Sequence, residues 1–128
     1  MIERTRAFVL IALSIHAGAS ASAELACAAR SEIVAPCFEV RGRLSFWNGT
    51  PSARIWRIGT TRMLGVHNDE LPPELMSRRS SFDTELRGTF TVCPLTNRSA
   101  GHMQYVCIES WRDISVRERT HQGEPAPR

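Results

Sequence analysis

The chain contains no lysine: all 16 of its basic side chains are arginine. Arginine offers a planar fork for bidentate anion contacts that lysine lacks. A GC-rich codon bias produces the same usage without any functional demand, and is the plainer reading. Other absences are more restrictive. No C-x-x-C spacing occurs, which removes the common structural-zinc and redox-active dithiol patterns. There is no H-x-x-x-H pair and no G-x-S-x-G elbow, so neither a helix-borne metal site nor an α/β-hydrolase nucleophile is signalled. No apolar run reaches the ~20 residues that a membrane-spanning helix needs. Nor is there a block of one charge. The formal net charge is only +3, giving no strong nucleic-acid signal and no polybasic segment for a membrane surface.

The longest apolar stretch, AFVLIALSIHAGAS at Ala7–Ser20, follows Arg4 and Arg6 and precedes Ala21-Ser22-Ala23. A charged start, a short apolar middle and a small-x-small end make a secretory signal. Residues 1–23 are therefore expected to be a cleaved signal peptide, with no transmembrane segment left after cleavage and a periplasmic or secreted product. Leu25-Ala26-Cys27 resembles the end of a lipoprotein signal, but Glu24 stands where an aliphatic residue is required, so a lipid anchor on Cys27 is not expected. Cleavage after Ala23 leaves 14 arginines against 12 acids, a balance of +2.

All four cysteines, Cys27, Cys37, Cys93 and Cys107, lie beyond the cleavage point. An even count in a small exported domain reads as disulfides. A chain of about 100 residues buries only around two-thirds of its unfolded surface, so covalent staples make physical sense. Three pairings are possible. The favoured one joins Cys27 to Cys37 and Cys93 to Cys107, because the flanks of a loop centred near Ala100 read as strands that would set Cys93 opposite Cys107. Such a bridge would contribute ~3 kcal/mol by chain entropy.

Between the cysteines the dominant signal is period two. Phe38, Val40, Leu44 and Phe46 fall on one face of a segment whose other face is Glu39, Arg41, Arg43 and Ser45, the pattern of a half-buried strand. Asn48-Gly49 is a hairpin turn signal. Strands are expected over Ala53–Ile58, Arg62–Val66, Thr84–Val92 and Met103–Trp111, with a sixth short piece at Ile114–Val116. A short helix is expected within Leu71–Arg79, where Pro73 and Glu74 suit a first turn and Arg78 and Arg79 a last one. Thr120–Arg128 holds two prolines and no apolar run and is expected to be a disordered tail. The expectation is one all-β domain over 24–119, a five- to six-stranded antiparallel barrel of the OB type with one short helix. An immunoglobulin-like or transthyretin-like sandwich is the alternative.

Phe38–Leu44, Asn48–Ser52 with Arg54-Ile55-Trp56, Gly59–Gly65 and Thr91–Leu95 resemble segments of small exported proteins of Gram-negative bacteria that have no assigned activity. The resemblance spans about Cys37–Ser110. It implies export and a single domain, and it carries over no catalytic residue.

Candidate chemistry is sparse. His67, Asp69 and Glu70 form a polar turn that would need convergence to bind a metal. Ser80, Ser81, Asp83, His67 and His102 supply hydrolase residue types without a motif. Glu85 and Glu109 are the carboxylates a glycosidase would use, but Glu39 and Glu85 fit better as exposed partners of arginine. No cofactor is implied. The most suggestive group is Arg41, Arg43, Arg54 and Arg57 with Trp47 and Trp56, since guanidinium and indole together suit stacking and anion contacts. Arg54 and Arg57 must alternate to opposite sides of their strand, so these four arginines cannot form one patch. The leading expectation is a non-catalytic binding or accessory module of the cell envelope, with Arg41, Arg43, Trp47, Trp56 and Arg57 as ligand residues and a polyanion, glycan or protein as partner. The alternatives are an inhibitory protein presenting the Pro94–His102 loop to an enzyme, and a small exported hydrolase.

Overall fold

In the computed structural model, residues 26–79 and 81–119 are described; the expected signal peptide, the expected tail and Ser80 lie outside them. The order of elements is β1 (Phe38–Phe46), β2 (Ala53–Arg57), β3 (Met63–Val66), a helix α1 (Pro73–Met76), β4 (Thr84–Pro94) and β5 (Gln104–Glu118), preceded by a 3-10 turn at Cys27–Ala29. The five strands form one sheet that closes in a ring in the order β1-β2-β3-β5-β4. The β-rich expectation is met. The expectation of a purely antiparallel sheet is not: β3 and β5 run parallel where they meet, at Leu64–Gln104 and Gly65–Tyr105. The alternation of residues reveals which face a strand buries but not which strands are neighbours, so this contact had no signature in the sequence.

Like every strand of the ring, β1 is paired along both edges. Gly42, Arg43 and Leu44 each face a β2 residue on one side and a β4 residue on the other. Val40, Leu44 and Phe46 point inward and join Ala53, Ile55, Leu64, Val66, Leu86, Phe90, Val92, Val106 and Ile108 in one buried cluster. The alternation thus placed the right residues inside. α1 contributes Leu75, which is fully buried in the same cluster. Pro72 at the N-cap and Pro73 in the first turn start this helix, and it ends at Ser77. It occupies four residues within the expected Leu71–Arg79 stretch, and Asn68–Glu70 forms a separate 3-10 turn before it.

Two inward positions carry no side chain. Gly42 and Gly88 are cross-strand partners. A Cβ on Gly42 would lie 2.5 Å from Ile55 Cγ2, and one on Gly88 would lie 2.4 Å from Ile114 Cδ1. The pair makes room for the neighbouring Ile55 and Ile114 side chains, a common use of glycine inside strands. Opposite Gly88, β5 carries a bulge between Arg112 and Ser115, with Asp113 at φ 57°. The bulge absorbs Asp113 without ending the strand. β5 is therefore one strand of 15 residues, not the two pieces expected.

The disulfides differ from the favoured pairing: Cys27 is joined to Cys107 and Cys37 to Cys93. Cys93 does lie directly opposite Cys107 in the β4–β5 register, as the loop symmetry implied. However, β4 also has β1 on its other edge. Phe38 faces Val92, which brings Cys37 beside Cys93 and leaves Cys107 to the preceding 3-10 turn. Both bonds thus fasten the arm over 27–37 to β4 and β5. They close loops with sequence separations of 80 and 56, each worth ~4 kcal/mol by chain entropy alone.

Two outcomes follow. A non-reducing digest analysed by mass spectrometry should yield Cys27–Cys107 and Cys37–Cys93 peptides, with no Cys93–Cys107 species. Gly42→Val should lower unfolding free energy by about 1–3 kcal/mol in urea titration through overpacking against Ile55.

Candidate ligand-binding face

Outward positions on β1 and β2 follow directly from their alternation. Arg41 and Arg43 alternate with Val40 and Leu44, so they project away from the core. Register then places Trp56 opposite Arg43, and Arg54 opposite Ser45. The Arg43 guanidinium lies over the Trp56 ring, 5.0 Å from its centroid. Trp56 Nε1 donates to the Thr60 carbonyl at 2.6 Å, which fixes the indole on the sheet surface. A half-buried indole capped by a guanidinium is a cation–π pair worth about 0.5–1 kcal/mol at an exposed site.

A second group sits where β1 gives way to the loop before β2. Trp47 Nε1 donates to Ser45 Oγ at 3.3 Å. Two guanidinium groups approach its ring, Arg54 at 5.8 Å and Arg119 at 3.3 Å. Each is tied to backbone: Arg54 Nε donates to the Pro51 carbonyl and Arg119 Nη1 to the Phe46 carbonyl, both at 3.0 Å. Trp47 is therefore engaged by the protein's own cations, whereas Trp56 has one such neighbour.

Arg41, Arg43, Arg54, Trp47 and Trp56 share this face. Arg57 does not, because it has the parity of Ile55 and stands at the end of β2, over the mouth of the ring. Arg87 and Arg119, which the sequence reading left aside, belong to the face or its margin. Arg87 lies opposite Arg43 on β4, a placement legible from alternation once the β1–β4 pairing is known. Arg119 lies just beyond β5, outside the reach of any local pattern.

The charges on the face are unevenly matched. Arg87 Nε contacts Glu85 Oε1 at 2.7 Å, and Arg112 bridges to Glu39 at 2.9 Å and Asp113 at 3.2 Å. Glu39 thus serves as an exposed ion-pair partner, as expected, while Glu85 does so from a buried position. Arg41, Arg43 and Arg54 have no carboxylate within 4.0 Å among the described residues. Their positive charge is available to a ligand.

A cleft lies elsewhere. It measures about 730 Å³ and runs between the N-terminal arm and the 69–74 segment, with Arg30, Glu32, Asp69, Glu70, Glu109 and Trp111 on its walls. Its charges are largely committed to holding the arm. Arg30 bridges to Glu70 and, at 3.3 Å, to Glu32; Glu109 Oε2 accepts the Ala28 amide at 2.6 Å. The hydrogen bond from Arg30 to Glu70, followed by that to Glu32, raises Arg30 above its ordinary value. The Glu32 carboxyl is held below its usual range by its own amide and then by Arg30.

The remaining candidates do not converge. His67 stacks on Tyr105 with centroids 4.4 Å apart, and Glu70 is occupied by Arg30, so the His67–Glu70 turn gathers no metal site. The only metal-competent cluster among the described residues is Cys27, Cys93 and Cys107, whose sulfurs are all in disulfides. His102 lies in the loop after β4, at the opposite end of the ring from Ser81 and Asp83, which precede it. Glu85 and Glu109 sit near opposite ends of the β4–β5 pair. The 95–103 loop is closed by Leu95 N–H to Tyr105 O and Tyr105 N–H to Thr96 Oγ1, both 2.9 Å, rather than by a Cys93–Cys107 bond.

Comparison with family models, with curated proteins and with solved structures finds no match to this chain.

A double-mutant cycle on Arg43→Gln and Trp56→Leu, read by urea denaturation, should give a coupling energy of about 0.5–1 kcal/mol. Zero coupling would show that the two side chains lie together without attraction.

Proposed function

We propose that this protein is an exported, non-catalytic binding module that takes an anionic glycan of the cell envelope on the outer face of β1 and β2. The observation that carries this reading is the set of arginines without carboxylate partners among the described residues, Arg41, Arg43 and Arg54, beside a fixed indole at Trp56. Guanidinium forks bind carboxylate, sulfate or phosphate groups, and an indole offers a flat apolar surface to a sugar ring. Each contact alone is weak on an exposed face, so several along one polymer are needed.

The strand order β1-β2-β3-β5-β4, with β3 parallel to β5, supports assigning the ring to the OB type, whose second and third strands and adjoining loops are a recurrent site for oligosaccharides and oligonucleotides. Two disulfides point to an oxidising compartment. Among the described residues no helix is long and apolar enough to cross a membrane. The charged, apolar and small-residue order of residues 1–23 supports delivery through a cleaved signal, and the resemblance to exported Gram-negative proteins supports the periplasm or the medium as destination. A hydrolase receives less support, because His67 and His102 are exposed at opposite ends of the ring.

Immobilised heparin, an anionic glycan, provides the test. The wild-type protein should be retained at low salt and released as salt screens the arginines. Arg41→Ser combined with Arg43→Ser should elute near the void with an unchanged circular dichroism spectrum. Equal retention of that variant would defeat the assignment.

A further inference from the structure

Arg57 is set apart from the outer face, and its surroundings explain what it is for. Its amide donates to the Arg62 carbonyl at 3.0 Å, so Arg57 and Arg62 stand directly opposite each other where β2 and β3 join. Like charges placed opposite on neighbouring strands are destabilising. Both residues have the inward parity of Ile55 and Leu64, and they lie one step beyond the end of the apolar core. Their side chains therefore rise from the rim of the ring's mouth rather than from its outer wall.

Arg62 is held in place. Its guanidinium lies over the Phe38 ring at 5.6 Å, and Nη2 donates to Gln104 Oε1. Gln104 is only 8% exposed and is itself fixed, with Nε2 donating to the Thr96 carbonyl at 3.0 Å. A buried amide is thus spent on orienting one nitrogen of a guanidinium, leaving its other N–H groups for something else. Thr96 belongs to the 95–103 loop, which also carries Arg98. Burial first, and then the charges of Arg98 and Arg57, hold Arg62 below its ordinary value. None of the three arginines has a carboxylate within 4.0 Å among the described residues.

We infer that Arg57, Arg62 and Arg98 form an oxyanion site at the mouth of the ring, built for a phosphate group. Three guanidinium cations call for more than a single negative charge and more than two acceptor oxygens. A phosphate near neutral pH supplies about −1.5 to −2 charges and three strong acceptors, whereas a carboxylate supplies one charge and two oxygens. The group arrives either as inorganic phosphate or as a phosphate monoester. The site is distinct from the Arg41–Arg43 face, so each assignment stands or falls without the other.

The test is isothermal titration of the oxidised protein with inorganic phosphate, glycerol 3-phosphate and acetate at matched ionic strength. Both phosphates should bind, and acetate should bind at least 10-fold more weakly. Tighter binding of the ester identifies an esterified ligand; tighter binding of phosphate identifies the free anion. Arg98→Ser, on an exposed loop, should weaken phosphate binding at least 10-fold, while Arg41→Ser with Arg43→Ser should leave it unchanged. Arg57→Gln should also lose phosphate affinity, yet unfold at an equal or higher urea concentration than wild type in phosphate-free buffer, because a like-charge contact is relieved. Binding of phosphate no stronger than acetate, or full phosphate affinity in Arg98→Ser, would overturn the inference.

Discussion

The ring closes where β3 meets β5 over two residue pairs, so that every strand, β1 included, is paired along both edges. Gly42, Arg43 and Leu44 are each paired on two sides. Gly42 and Gly88 face each other across β1 and β4, where an added Cβ would collide with Ile55 or Ile114. Inward residues from all five strands can then reach a common centre around Phe90, Leu44 and Ile55. Outward residues are forced into fixed rows, which is how Arg43 comes to lie on Trp56. The rim at the start of β1 is the third product of the same closure. It is where inward positions run out of core and where Arg57, Arg62 and Gln104 stand.

The two arginine groups use their charge differently. On the outer face Arg43 and Arg54 lie over indole rings and, with Arg41, are spread along two strands. At the rim Arg57 and Arg62 stand opposite each other on two strands, and a buried glutamine holds Arg62 and reaches the loop that carries Arg98. Among the described residues neither group has a carboxylate within 4.0 Å, although acids are plentiful elsewhere. Glu85, Glu39, Glu32 and Glu70 are all assigned to other arginines. Replacing lysine by arginine throughout matters most at these two places, because a flexible ammonium can neither cap a ring as a plane nor offer paired donors.

Local pattern accounts for much of this. The alternation in Phe38–Phe46 and Ala53–Arg57 identified the buried and exposed sides of both strands, and hence Arg41, Arg43 and Trp56 as surface neighbours. It also showed that Arg54 and Arg57 must part company. What it could not reveal was adjacency between distant strands. Cys93 was correctly placed opposite Cys107, yet the bond went to Cys37, because β4 has a second neighbour that no local signal announces. The parallel β3–β5 contact and the approach of Arg119 to Trp47 were hidden for the same reason. Arg112-Asp113 looked like a break between strands and is instead a bulge, since a single left-handed residue is enough to absorb the extra length. Arg62 and Arg98 looked ordinary because their shared environment exists only once the 95–103 loop folds back over Gln104.

The disulfides are nested: the Cys37–Cys93 loop lies wholly inside the Cys27–Cys107 loop. Each bond unites an early cysteine with a late one. A chain synthesised from its N-terminus makes Cys27 and Cys37 available long before either proper partner has emerged. The nearest available thiol for each is the other, and that bond is absent from the finished molecule. Correct maturation therefore requires either that oxidation be withheld until the last strand arrives, or that a premature Cys27–Cys37 link be exchanged through thiolate attack by the later cysteines. The finished pairing thus depends on the order in which the thiols become available, since each bond ties the start of the domain to its end.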